Sequence, residues 1–141
     1  MKIKPFLICF LLICATPLWA NPHAIVMLND LREGKGRAPL QYSERLSLAA
    51  QLHANDMAQR TFFNHTGSDG SSVGDRARAV GYRWCLVAEN IAKGQDSLNQ
   101  VMREWAASRG HYRNMVHNKV TEFGIAWAQG DIWVMVLARP C

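Results

Sequence analysis

Four polar side chains stand where a packed core would not call for them. They are His65 in Phe63-Asn64-His65-Thr66-Gly67, Glu89 in Ala88-Glu89-Asn90-Ile91, His111 in Ser108-Arg109-Gly110-His111-Tyr112, and Glu122 in Thr121-Glu122-Phe123-Gly124-Ile125. Glu89 is the most informative. A carboxylate inside an otherwise apolar stretch costs several kcal/mol unless it is paired, so its position implies partners or a water-filled cleft. Glu122 alternates with Gly124 and Ala126, small residues that leave room for a pocket on that face. His111 falls in the first turn of a helix, where the dipole disfavours the imidazolium and leaves the neutral ring that ligates metals or takes up a proton. Two histidines and two acids make a donor set for one divalent cation, with Zn favoured by the imidazoles. HExxH is absent and the histidines lie 46 residues apart, so the fold has to assemble any such site. The competing account is a structural hydrogen-bond network of Glu89 and the two histidines.

The elements that must position these groups follow from periodicity and capping. Ile25, Leu28 and Leu31 recur at helical spacing over residues 24–33, and the pattern stops at Gly34-Lys35-Gly36. Ser43 caps a longer helix to about Arg60, with Leu46, Ala49, Ala50, Leu52 and Met57 on its apolar face. Residues 62–71 read as a loop, and Ser72-Val73-Gly74-Asp75 as a capping box opening a short helix that ends near Gly81. Residues 84–92 read as a strand, 95–107 as a helix, and Ser108 as the cap of a further helix through His117. Two strands close the chain, 120–128 and 132–138, joined by a turn at Gln129-Gly130. The second is apolar on both faces, as a central, doubly covered strand would be. The expected class is α+β, a sheet covered by helices on both sides.

The chain has 141 residues, 49% hydrophobic and 19% charged, a globular composition of one-domain size. Met1-Lys2-Ile3-Lys4, the apolar run from Phe6 to Ala15 and the small residue Ala20 read as a secretory signal over residues 1–20. The run is too short for a lasting membrane anchor. Residues 21–141 then form a single domain with a net charge of +3 and no basic stripe, which excludes nucleic acid as an implied partner. Of four cysteines, Cys85 and Cys141 remain after signal removal, and an even pair in an exported protein suggests one disulfide, with two free thiols as the alternative.

The residues also carry a resemblance. Leu28-Asn29-Asp30-Leu31-Arg32, Ala49-Ala50-Gln51-Leu52-His53-Ala54, Phe63-Asn64-His65-Thr66, Ala88-Glu89-Asn90-Ile91-Ala92, Ser108-Arg109-Gly110-His111 and Thr121-Glu122-Phe123-Gly124-Ile125 follow one another in a familiar order. In that order the chain resembles the CAP superfamily, or SCP domain, which groups cysteine-rich secretory proteins, antigen five and plant pathogenesis-related proteins. It is most similar to the short, bacterial, single-domain branch, over nearly all of residues 24–138. The resemblance implies a three-layer α-β-α sandwich with a mainly antiparallel sheet, and a central cleft of two histidines and two acids able to hold a divalent metal such as Zn. Carried over by motif, His65, Glu89 and His111 are the first histidine, first glutamate and second histidine. The second acid of eukaryotic relatives falls on Ser108 here, so Glu122 is the candidate fourth member. The cysteine-rich extension behind the family's ion-channel role has no match, and that role is not carried over.

Other signals have cheaper explanations. Gly70-Ser71-Ser72-Val73-Gly74 matches G-x-S-x-G, but a polar loop precedes it where a nucleophile elbow needs a strand, and capping accounts for Ser72. His53 reads as a packed helix residue and His117 as a helix-end residue. Trp84, Trp105, Trp127 and Trp133 read as core, with an aromatic cleft rim as the alternative. The function expected is an exported binding module for a divalent cation, with a lipid or other cell-envelope ligand as a second partner. The alternative is a metal-dependent hydrolase acting on peptide or cell-wall material, with metal-bound water as nucleophile and one glutamate as base. A purely structural secreted domain is the third reading. Oligomeric state is left open.

Overall fold

Helices begin where the sequence supplies a cap. The structure, a computed structural model, describes residues 21–141, so the leader expected over residues 1–20 lies outside the described residues. The chain runs α1 (Pro22–Glu33), β1 (Gln41–Tyr42), α2 (Glu44–Arg60), α3 (Val73–Ala79), β2 (Trp84–Lys93), α4 (Leu98–Ala107), α5 (Arg109–Met115), β3 (Glu122–Ala128) and β4 (Ile132–Pro140). Ser43 Oγ accepts the Leu46 amide, Ser97 Oγ accepts the Gln100 amide, and Ser72 and Asp75 close a reciprocal capping box. Ser97 therefore starts α4 at Leu98, later than the expected Gln95, whose carbonyl instead accepts the Trp133 indole N–H. Ser108 opens α5 without a side-chain cap bond. The two-residue β1 was not legible, being too short for any periodicity.

The sheet order is β1-β3-β4-β2, with β1 parallel to β3 and the other pairs antiparallel. Along β4, Val134, Val136 and Ala138 enter one core, while Met135 and Leu137 enter the other, so this strand is covered on both faces as expected. The first core includes Leu46, Ala50 and Met57 of α2 and Ala77 of α3. The second includes Leu28 of α1, Val101 and Trp105 of α4 and Met115 of α5. The result is the α-β-α sandwich that the sequence implies. Consecutive strand residues point to opposite faces. On the edge strand β2, Glu89 therefore turns toward the α2–α3 layer and Asn90 toward the α4–α5 layer.

Glu89 is opposite Val136, and Val136 is opposite Gly124, so these three share one row across the sheet. A Cβ on Gly124 would run into the backbone of Leu46 and Ser47, which α2 presses against the sheet. The smallness of Gly124 serves this contact rather than a pocket. Cys85 and Cys141 form the expected disulfide across a sequence separation of 56.

Urea denaturation checks these contacts. Gly124→Ala is expected to lose more than about 2 kcal/mol, because helix backbone must move. Gly110→Ala, where an added Cβ meets nothing within 4 Å, is expected to gain up to about 1 kcal/mol. Removing the disulfide with paired Cys85→Ala and Cys141→Ala substitutions is expected to cost about 4 kcal/mol. A loss under about 1 kcal/mol would show that the bridge constrains little.

Candidate functional site

Glu89 is the centre of the site, and its side chain is only 2% exposed. Oε2 accepts from Arg76 Nη2 at 2.7 Å. Oε1 accepts from His65 Nδ1 at 2.7 Å. Since a carboxylate only accepts, Nδ1 of His65 carries a proton, and in the neutral ring Nε2 is left with its lone pair. The His65 side chain is 58% exposed, so that second nitrogen belongs to a ring open to solvent. The hydrogen bond to Glu89 raises the His65 pKa, against burial and the Arg76 charge, which lower it.

Beneath this pair lies His53, fully buried on α2, with Nε2 donating to the Asn64 carbonyl at 2.9 Å and standing 4.0 Å from Glu89 Oε1. Burial holds its pKa below the ordinary histidine value, against the pull of Glu89, so the ring is neutral. Its Nδ1 is buried without a hydrogen-bond partner.

His111 comes from the opposite layer. Asn90 Nδ2 donates to its carbonyl at 3.2 Å, and Asn114 Nδ2 donates to Asn90 Oδ1 at 2.9 Å, which docks α5 on β2. The C-terminal end of α5 is held by the buried Arg32, whose Nη1 donates to the carbonyls of Met115 and His117. The His111 ring lies 6.3 Å from that of Trp105. Burial, and then the charge of nearby His65, push its pKa down. Beside it runs an open groove of about 460 Å³ lined by Phe63, Ile91, Glu104, Trp105 and Ser108 among others.

Three of the four expected residues are thus brought to β2, and the fourth is not. Glu122 lies on the same sheet face as Glu89, but two strands across and two residues along. It lines a separate cavity of about 590 Å³ with Arg45, Tyr82 and Arg83. There the phenol of buried Tyr82 is pushed well above its ordinary value, first by burial and then by the Glu122 charge. The acid that lines the His111 groove is Glu104 on α4, which accepts from Gln95 and Gln100. Among the described residues no group of three or more His, Cys, Asp or Glu side chains is gathered as a metal cluster. Imidazole is the ligand chemistry a cation such as Zn takes, and His65 and His111 each supply one, with Glu89 behind His65 as the carboxylate that orients it. Glu89 itself is already committed to Arg76 and His65.

Sequence reasoning missed Arg76. Its signal was a place on the Val73 and Ala77 side of a short helix, the buried side, at a point where a buried acid needed a cation. Ser72 Oγ is engaged with Asp75 Oδ2 at 2.6 Å as a cap, as expected. His117 Nδ1 accepts the Lys119 amide at a helix end.

Glu89→Gln is expected to cost about 3–5 kcal/mol, because it strands the Arg76 guanidinium in the interior. Glu122→Gln is expected to cost under about 1 kcal/mol. Equal losses in chemical denaturation would mean that Glu89 is not the buried hub described.

Residues 26–137 match the family model for the cysteine-rich secretory protein family, CAP. The Bacillus subtilis protein YkwD is 32% identical over 110 residues, which cover 77% of this chain and 43% of that protein. The B. subtilis membrane protein YlbC is 24% identical, with 70% of this chain and 29% of that protein covered. This chain therefore spans less than half the length of either. An extracellular SCP-domain protein from Bacillus anthracis superposes with a TM-score of 0.80 at 21% identity, covering 84% of this chain and 39% of that one. An outer surface protein from Borrelia burgdorferi superposes with a TM-score of 0.77 at 19% identity, covering 85% of this chain and 92% of that one. With the family model matched over residues 26–137 and the sandwich in place, the chain belongs to the cysteine-rich secretory protein (CAP) family.

Proposed function

We propose that this chain is an exported CAP-domain binding module whose cleft takes a divalent cation through His65 and His111. One observation carries the reading. The 2.7 Å bond from His65 Nδ1 to buried Glu89 fixes a ring that is otherwise open to solvent, and in its neutral form the other nitrogen is an unprotonated donor. A carboxylate–histidine pair of this kind orients a metal ligand and raises its basicity. His111 supplies a second imidazole, kept neutral by burial. A bound cation would supply a positive centre for an oxygen of a cell-envelope ligand. Export is supported by the basic-then-apolar start of the chain, by the disulfide, and by the extracellular and outer-surface character of two structural neighbours. Among the described residues no helix is long and apolar enough to cross a membrane.

The same dyad favours a second reading, a hydrolase of peptide or cell-wall substrates. Glu89 is buried and bonded at both oxygens, so the proton-accepting role passes to His65, with Glu89 orienting it. Turnover of such a substrate that is lost in His65→Ala would identify this reading.

Calorimetric titration with Zn tests the first. One-to-one binding is expected at pH 7.5. Both imidazoles must be unprotonated to bind, and the raised pKa of His65 keeps its proton on longer as pH falls. Affinity at pH 5.5 is therefore expected to fall by about ten-fold or more, set by His65, since the ordinary histidine pKa is about 6.5. His65→Ala and His111→Ala are each expected to abolish binding. Binding that survives both substitutions would place the cation elsewhere and sink the reading.

A further inference from the structure

We infer that Arg76 is the positioning residue of the cleft: one guanidinium fixes both the carboxylate that orients His65 and the backbone of the loop that carries it. The inference rests on the reading of His65 as a cleft donor. Arg76 Nη2 donates to Glu89 Oε2 at 2.7 Å and to the His65 carbonyl at 3.0 Å. Its Nη1 donates to the Ser71 carbonyl at 2.8 Å. The loop from Thr61 to Ser72 hangs between α2 and α3 and is thus gripped at two points six residues apart. The grip comes from a helix that is itself fixed by the Ser72–Asp75 capping box.

His65 is consequently tied to Arg76 twice. Its carbonyl is bound directly, and its ring is bound through Glu89. A ring whose backbone and Nδ1 are both referred to one rigid, planar group has little freedom in its side-chain torsions. Such a group has to be arginine. The guanidinium presents several donors in a fixed plane and can serve a carboxylate and two carbonyls together. A lysine could match the Glu89 charge from one nitrogen but could not span the same acceptors. His53 braces the loop from the other side through the Asn64 carbonyl, next to His65. Arg76 touches neither the open face of His65 nor His111 in any hydrogen bond, so its action on the cleft is indirect.

The test reads the tautomer of His65, which a merely stabilising ion pair would not set. In ¹⁵N-labelled protein at about pH 8.5, two units above the ordinary histidine pKa, long-range ¹H–¹⁵N spectra report which ring nitrogen holds the proton. The wild type is expected to show His65 protonated on Nδ1 alone. Arg76→Lys, which keeps a charge beside Glu89 but cannot hold both carbonyls, is expected to show a mixture of tautomers. Arg76→Gln, which leaves Glu89 unpaired, is expected to show an added imidazolium fraction. In both, Zn affinity is expected to fall by about 10- to 100-fold, the usual effect of losing an outer-shell partner. A folded Arg76 variant that keeps the single Nδ1–H tautomer and full Zn affinity would overturn the inference. Should wild type bind no Zn while the tautomer still depends on Arg76, the positioning role stands and the cation reading falls. If neither variant folds, the wild-type guanidinium decides. Separate, slowly exchanging Nη protons would support the three-way grip, and a single averaged signal would overturn it.

Discussion

A carboxylate taken almost wholly out of water has to be matched, and the way Glu89 is matched organises the cleft. Each of its oxygens faces a different element, Oε2 toward α3 through Arg76 and Oε1 toward the α2–α3 loop through His65. The backbone carbonyl of the same residue accepts from Asn114 Nδ2 of α5, and the next residue, Asn90, bonds α5 again from the other face. A pair such as Glu89–Arg76 need not add net stability, since desolvation offsets much of the attraction. What it does is penalise every arrangement in which one partner is left alone. The geometry is enforced by the cost of the alternatives.

The edge position of β2 explains why the site forms there. A sheet edge leaves backbone groups without strand partners, and proteins cover or blunt such edges. Among the described residues β2 pairs only with β4, and the carbonyls of Glu89 and Ile91 take Asn114 Nδ2 and the Trp105 indole N–H. The covering groups come from α4 and α5, and α5 carries His111. Seven residues are too few to hold a helix alone. The bonds that cover the edge, with Arg32 at the far end, therefore also hold the second imidazole in place.

Much of this was legible because it is local. Serine caps, the period change at residue 84 and the doubly apolar last strand depend on neighbours in sequence, and the helices and strands appear within a few residues of their expected limits. His65, Glu89 and His111 were singled out by residue type and by resemblance, and all three meet at β2. Glu122 shows where such reasoning stops. Its alternation with Gly124 and Ala126 puts these three on one strand face, which the register makes the face of Glu89, but strand order, which no local pattern encodes, sets it two strands away. Arg76 was hidden for a related reason. That a buried acid needs a cation is readable, but which of many arginines supplies it depends on how α3 docks on β2.

The Arg76 charge has a further consequence for the two imidazoles. Glu89 alone would draw His65 strongly toward the imidazolium, a form that offers no lone pair. Partial burial of the ring pulls in the opposite direction, and Arg76, bonded to the same carboxylate, adds to that pull. His65 is left with a basic ring that can still lose its proton. A charge on His65 in turn disfavours one on His111, which burial already opposes. On the proposed cation reading His65 is the residue that gates the cleft, and it is set by a buried acid against partial burial of its own ring, with Arg76 adding to the burial.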